Sequence, residues 1–300
     1  QVGRMKAMFG SSGQERFHGL TIQETGGTRK TIAAGIEAIK ALLPTVNDVE
    51  RVPIPISELT LGLQCGGSDG YSGITANPAL GAMTDLLVRH GGTALLSETP
   101  EIYGAEQLLV RRASSQEVGE KLIERIRWWE NYTAVNGGSM DNNPSPGNKA
   151  GGLTTILEKS LGAAAKGGTL ALADVLLYGE KVKKRGFVFM DSPGYDPVSA
   201  TGQIASGSQL VVFTTGRGSA FGSKPAPTIK LATNSAMYRM LDEDMDLNCG
   251  DIIDGSVSIA AKGREILNEV IAVASGKKSK SEALGLGDNE FVPWQIGATM

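Results

Sequence analysis

The 300-residue sequence contains two cysteines and two histidines. Two thiols cannot supply the set of bridges that holds a small secreted domain together. Neither cysteine has a C-x-x-C neighbour, which argues against a structural zinc site. The histidines, His18 and His90, occur without a G-x-S-x-G elbow, so a serine-hydrolase triad has little support. His90 closes a helical stretch, where a helix C-terminus favours a charged imidazole. Aromatic residues make up 5% of the chain. No apolar run approaches the ~18 residues of a membrane helix, and no secretory pattern opens the sequence. The chain also lacks a basic excess: 29 Lys and Arg face 32 Asp and Glu, giving a net charge of −3. A nucleic-acid surface normally needs the opposite balance. A soluble, cytoplasmic globular protein is expected, with neither nucleic acid nor membrane as partner.

Glycine is abundant, at 40 residues, about 13% against a usual ~7%. It follows no collagen period and falls at the ends of apolar runs, as expected of many tight strand-to-helix turns. Apolar spacing predicts a helix from Thr28 to Leu43, stopping at Pro44. A strand is expected over Leu59 to Leu63, with Cys65 on the turn that follows. A helix from Asn77-Pro78 to about His90 should have Asn77 as its cap, and Gly91-Gly92 leads into a strand over Thr93 to Ser97. Ser114-x-x-Glu117 reads as a capping box before Val118, Leu122, Ile126 and Trp129. Further helices are expected over Leu153 to Lys166, Val198 to Ala205 and Ser258 to Ser275, with strands over Phe187 to Met190 and Leu210 to Phe213. This alternation predicts an α/β fold of parallel-rich sheets with covering helices in a Rossmann-like layered arrangement. Gly70-Tyr71 and Gly194-Tyr195 each follow a strand and precede a helix and another strand. They suggest two similar β-α-β units, through internal duplication or chance. Gln1 opens the sequence in mid-pattern. Residues 1–300 are therefore read as the C-terminal catalytic region of a longer polypeptide, shortened at its N-terminal side.

Ligands of open α/β sheets bind beyond the carboxyl ends of the strands. Four strand-end segments here are unusually polar and rich in glycine: Gln64 to Ser72, Ser97 to Glu101, Asp191 to Asp196, and Thr214 to Lys224. Cys65 is either a small buried apolar residue or a thiolate ligand suited to Fe²⁺ or Zn²⁺. Cys249 ends Asp244-Met-Asp-Leu-Asn-Cys249, which begins like a calcium loop but has Cys where Gly is needed and Gly255 where Glu is needed. A ligand cluster or a capped turn both fit that segment. Gly26-Gly27-Thr28-Arg29-Lys30-Thr31 lacks the phosphate-loop spacing, and a turn with a capping Thr explains it more simply.

Several long runs carry a family resemblance. They are Leu61 to Leu80, which includes Gln64-Cys-Gly-Gly-Ser-Asp-Gly70, and Ser97-Glu-Thr-Pro-Glu-Ile-Tyr-Gly-Ala-Glu106. Pro144 to Thr155, Met190 to Gln203, Leu231-Ala-Thr-Asn234, Glu243 to Gly250, and Asn289 to Gly297 complete the set. Together they resemble the large C-terminal region of the altronate/galactarate dehydratase family, which also includes the large subunit of sulfolactate sulfo-lyase. The resemblance implies a lyase that dehydrates a sugar acid to a 2-keto-3-deoxy sugar acid and depends on Fe²⁺ or another divalent metal. It also implies an N-terminal domain or separate small subunit as partner, and a homodimer is expected. Ser223 stands where many relatives have Cys.

Such a reaction removes a proton beside a carboxylate and expels the neighbouring hydroxyl. It calls for a cation at the developing enediolate, Arg or Lys at the carboxylate, and an acid and a base flanking the carbon skeleton. On this reading Cys65, Glu98 and Cys249 are the metal-ligand candidates. Asp69 and Asp196 are the acid/base candidates, and Arg217 and Lys224 hold the carboxylate or enolate. Ser68, Thr99 and Asn234 hydrogen-bond substrate hydroxyls. Elimination of sulfite and simple sugar-acid binding without turnover are the competing functions.

Overall fold

A computed structural model describes residues 2–8 and 17–297; Gln1 lies outside them. The chain divides into two compact units, Gln1–Ile54 and Pro55–Met300.

The first unit carries three helices, α1 (Val2–Met8), α2 (Ile22–Thr25) and α3 (Thr28–Asn47). α3 does not stop at Pro44. Proline removes its own N–H and its ring crowds the carbonyl four residues earlier, yet three residues from its end the helix accommodates Pro44 and continues to Asn47, where the Asp48 N–H donates to the Pro44 carbonyl at 3.2 Å.

The second unit is built on one sheet. Its strands are β1 (Thr60–Cys65), β2 (Thr93–Leu96), β3 (Leu172–Leu176), β4 (Gly186–Met190), β5 (Leu210–Thr215), β6 (Thr228–Ala232) and β7 (Leu247–Asn248). They lie in the order β3-β4-β2-β1-β5-β6-β7, and every pairing is parallel. The helices are α4 (Ala76–Arg89), α5 (Gln107–Val110), α6 (Gln116–Val135), α7 (Pro146–Ala150), α8 (Ile156–Ala165), α9 (Asp196–Ser206), α10 (Ser235–Met240), α11 (Ile259–Ala274) and α12 (Lys280–Ala283).

Side-chain alternation along β1 sets the two layers. Leu61 and Leu63 join a core with Ala79, Leu80 and Met83 of α4 and Ile266 and Val270 of α11. Gly62 and Gln64 face the other way. A Cβ on Gly62 would meet the Gln203 side chain of α9, and Gln64 Nε2 donates to Ser199 Oγ at 2.6 Å. Helices therefore cover both faces, which is why β2, β5 and β6 are buried along their whole length and β1 from Leu61 onward.

The parallel layered arrangement agrees with the alternation in sequence, whereas several boundaries differ. Cys65 is the last residue of β1 and not a turn residue. α4 is preceded by Thr75, and Asn77 lies inside its first turn. The Asn77 side chain instead ties elements together: Nδ2 donates to the Gly162 carbonyl (3.0 Å), and Oδ1 accepts from Thr214 Oγ1 (2.6 Å). The cap of α6 is Ser115, one residue later than the box pattern suggests. Strands β3, β6 and β7 lie beyond the segments recognised by alternation alone. The two echoing β-α-β units also differ in placement: α4 joins the neighbours β1 and β2, but α9 carries the chain from β4 to β5 across the sheet. That crossing reverses the strand order beside β1 and opens a crevice between the loops after β1 and β5.

Candidate active site

Beyond the strand ends lies a cluster of buried ionisable groups. β1 delivers Cys65, the end of β2 delivers Glu98, and the short 3-10 helix Thr99–Ile102 delivers Glu101. One ligand atom from each of the three falls within 4.8 Å of the others. α8 contributes the opposing charge. Lys159 lies within it and Lys166 is its C-terminal cap, seven residues apart and thus on one face.

The contacts are short and specific. Lys159 Nζ donates to Glu101 Oε1 (2.6 Å) and Asn143 Oδ1 (2.7 Å). Lys166 Nζ donates to Cys65 Sγ at 2.9 Å and lies 3.9 Å from Glu98 Oε2. The Cys65 thiol also reaches Glu101 Oε2 at 3.4 Å. Both carboxylate oxygens of Glu98 are buried without a hydrogen-bond partner.

Glu98 is also held in an unusual backbone conformation, with φ 75° and ψ 72°. A left-handed conformation is uncommon for a residue bearing a Cβ and costs ~1–3 kcal/mol where the surroundings enforce it. The enforcing contacts come from β4's end. The Glu98 N–H donates to Ser192 Oγ (3.0 Å), and the Thr99 N–H donates to the Ser192 carbonyl (3.0 Å). Ser192 in turn meets Ser199 at 3.0 Å, and Ser199 meets Ser97 at 2.6 Å. Gln64 and Gln203 donate into this hydroxyl group from below.

The electrostatics follow from the geometry. Burial, reinforced by Glu101, pushes the Glu98 carboxyl well above the usual range. Burial would raise Glu101 too, but Lys159 and Lys166 outweigh it and hold Glu101 low. The Cys65 thiol is pushed up to about 12 by burial, against the pull of Lys166. Asp196, in the first turn of α9, is pushed up to about 7 by burial and by Glu101, partly offset by the two lysines. Its carboxylate lies over Gly66, where a Cβ would collide with it.

This donor set fits a divalent cation. One sulfur and two carboxylates suit a borderline ion such as Fe²⁺ or Zn²⁺ better than Mg²⁺ or Ca²⁺. Glu98 has free lone pairs and no protein donor to use them. If Cys65, Glu98, Glu101 and Asp196 are all ionised, they exceed the two ammonium groups by two charges, which one divalent cation balances. A separate cavity of about 10 Å³, lined by Cys65, Ser68, Asn77 and Lys159 but by neither Glu98 nor Glu101, has room for about one water.

The remaining candidates from the sequence are distributed more widely. Cys249 stands apart from the cluster: it is a fully buried member of the main core. Its ionic neighbours are Lys262, Asp251 and Glu265, and burial pushes its thiol up to about 12. Lys224 also lies elsewhere, donating to the Gly285 carbonyl (3.0 Å) and pairing with Asp288 (3.5 Å). Asp69 is saturated as a structural tie. It accepts from Thr233 Oγ1 (2.9 and 3.0 Å), Asn234 Nδ2 (3.1 Å), Ser72 Oγ (3.0 Å) and the Tyr71 N–H (3.2 Å). Asn234 spends its Oδ1 capping α10. Thr99 Oγ1 donates to Asp191 Oδ1 (2.6 Å), which also accepts from Trp129 Nε1 (2.7 Å). Ser68 presents its carbonyl to Asn148 Nδ2 (2.9 Å). Arg217 is exposed at the rim of the crevice, its guanidinium packed over Gly147 and its N–H donating to the Gly67 carbonyl at 3.0 Å.

Glu101, Lys159, Lys166 and Asn143 are site residues that the sequence reading did not single out. Glu101 had a signal, the pair of acids three apart after β2. The two lysines had a weaker one, their seven-residue spacing within a helix otherwise rich in Ala, Gly and Ser.

Residues 56–299 match the family described as D-galactarate/altronate dehydratase, C-terminal. The chain is 39% identical over 277 residues to an altronate dehydratase of Bacillus subtilis, covering 92% of this chain and 55% of that protein. It is 44% identical over 236 residues to the galactarate dehydratase (L-threo-forming) of Escherichia coli, covering 79% of this chain and 45% of that protein. A match of 32% identity over 275 residues, covering 90% of this chain, reaches 69% of the (2R)-sulfolactate sulfo-lyase subunit beta of Chromohalobacter salexigens. The chain thus spans about half the length of the two dehydratases. Among the described residues, no helix is long and apolar enough to cross a membrane.

Proposed function

The chain belongs to the D-galactarate/altronate dehydratase family through its C-terminal region, and from that premise we propose that it is the catalytic part of a carbon–oxygen lyase. Its substrate would be a sugar acid of the altronate or galactarate type, and its product a 2-keto-3-deoxy sugar acid. The observation that carries this reading is the buried Cys65–Glu98–Glu101 group with both Glu98 oxygens unpartnered.

Cys65, Glu98 and Glu101 would hold one divalent cation, Fe²⁺ being the proposed ion. Bound there, it would supply Lewis-acid stabilisation of negative charge developing on the substrate. Asp196 is the proposed base: it borders the cluster, and a value of about 7 suits proton transfer near neutrality. Arg217, at the crevice rim, is the proposed partner of the substrate carboxylate, since its guanidinium can make two parallel hydrogen bonds. Lys159, fixed between Glu101 and Asn143, would keep Glu101 ionised. Because the relatives are much longer, a further domain or a small subunit, and a second copy of the chain, are proposed to complete the working enzyme.

Sulfite elimination is the second reading. It is favoured by one observation: the sulfo-lyase subunit is matched over a larger share of its length than the dehydratases are. Loss of a proton beside the carboxylate is common to both reactions, so the leaving group decides. An anaerobic assay with Fe²⁺ and altronate, galactarate or (2R)-sulfolactate tests the proposal. Keto-acid without sulfite is the expected result. Sulfite release would select the second reading, and ligand-induced stabilisation without any product would leave sugar-acid binding alone.

A further inference from the structure

We propose that Lys166 is a positioning residue for Cys65, donating an N–H···S hydrogen bond that fixes the sulfur toward a divalent cation shared with Glu98 and Glu101. The inference rests on the cation reading given above and assigns a role to a residue outside the ligand set.

Lys166 is fully buried, and burying an ammonium is costly unless it is paired. Simple charge neutralisation does not explain where this one points. Lys159 behaves as a neutralising lysine would, bonding a carboxylate oxygen at 2.6 Å. Lys166 has a comparable choice in Glu98, whose two oxygens have no hydrogen-bond partner. It nevertheless stays 3.9 Å from Glu98 Oε2 and donates to Cys65 Sγ at 2.9 Å. Glu98 is thereby left with its lone pairs free, and the sulfur is left with a fixed donor.

The chain holds this lysine from behind. Its carbonyl accepts from Thr84 Oγ1 of α4 (3.0 Å), and its N–H donates to the Ala163 carbonyl (3.2 Å). Gly81 lets α4 approach the end of α8, because a Cβ there would strike the Ala165 carbonyl. The backbone that carries the ammonium is therefore held by two helices. A donor on a metal-bound thiolate withdraws charge from the sulfur and orients it, the usual work of a group just outside the ligand set.

Cobalt(II) is the probe, added to the full chain, because a thiolate bound to it gives a sulfur-to-metal charge-transfer band in the near ultraviolet. Wild type should show the band and Cys65→Ser should lose it. Removal of the donor in Lys166→Met, or its withdrawal on the shorter stem of Lys166→Gln, should move the band to longer wavelength. Lys166→Arg, which keeps donors and charge, should restore the wild-type position. Whichever of the two neutral variants folds is decisive. A band unmoved in either overturns the role of Lys166 while leaving the cation reading intact. A wild-type protein without the band, or a band that survives Cys65→Ser, overturns the cation reading and this inference with it. Affinity alone would not discriminate, since losing a nearby positive charge favours the cation while losing the sulfur's orientation opposes it.

Discussion

Cys65 and Cys249 are equally buried, and burial pushes both thiols up to about 12, yet their surroundings differ in kind. Cys65 has two carboxylates within ligand distance, while Cys249 is embedded in aliphatic core. Cys65→Ser is therefore expected to weaken Fe²⁺ binding by at least the ~10–100-fold that loss of an outer-sphere partner costs. Cys249→Ser should retain the metal and lose ~1–3 kcal/mol of stability for a hydroxyl placed in apolar surroundings. Metal content after anaerobic reconstitution, together with thermal unfolding, tests both, and equal metal loss in the two variants would refute the distinction. Asp196 gives a pH-dependent counterpart. Its folded-state value of about 7 lies above the ordinary 3.8, so in that window the folded chain keeps a proton that the unfolded chain has released. Stability consequently falls as pH rises toward 7 and then levels, by at most ~1.4 kcal/mol per pH unit, and by less because Asp196 is partly solvent-accessible. In chelator-treated protein, the melting temperature of Asp196→Asn relative to wild type should rise between pH 5 and 7. A difference independent of pH would refute the placement of this carboxyl.

At the scale of elements, close approach of β1's loop to the start of α9 is what brings Asp196 beside the cluster. Gly66 permits that approach, because a Cβ there would overlap both the Asp196 carboxylate and the Phe213 ring. Phe213 is itself stacked on Phe221 at a centroid distance of 5.1 Å, so it has little room to yield. Gly66→Ala should cost ~1–3 kcal/mol, as overpacking usually does, and lower the melting temperature by several degrees. It should also depress turnover more than Fe²⁺ content, since the side chains that the new methyl would strike are Asp196 and Phe213 and not Glu98 or Glu101. Unchanged stability would show that α9 can retreat freely. The 3-10 helix bearing Glu101 is fixed from its other side through Thr99, Asp191 and Trp129, so α6 buttresses the site without entering it.

For the molecule as a whole, the division between Gln1–Ile54 and Pro55–Met300 falls in an exposed stretch without helix or strand, residues 48–55. Limited proteolysis should cut first in or before that stretch and leave a resistant product beginning near residue 55, identified by mass spectrometry. First cuts inside the seven-stranded unit would contradict the division. All the residues of the cluster, and the hydroxyl group beneath Glu98, come from the second unit. That unit coincides closely with the matched family region.

The sequence by itself determined the layered parallel architecture, because apolar strand runs and helical spacing alternate along the chain and each follows from local backbone period. It also determined the family, through long polar runs at the strand ends, and it marked Cys65, Glu98 and Asp196. Only the tertiary structure decided which of the marked residues meet. Cys249 and Cys65 look alike in sequence, but strand order sends one to the core beside β7 and the other to the crevice beside β5. Asp69 reads as a free acid until the fold brings Thr233 and Asn234 onto its oxygens. Lys159 and Lys166 are two unremarked positions of a predicted helix until that helix is packed against Cys65 and Glu101. Local period fixes which face a residue takes on its own element; what lies opposite that face depends on contacts between residues far apart in the chain, and spacing does not encode them.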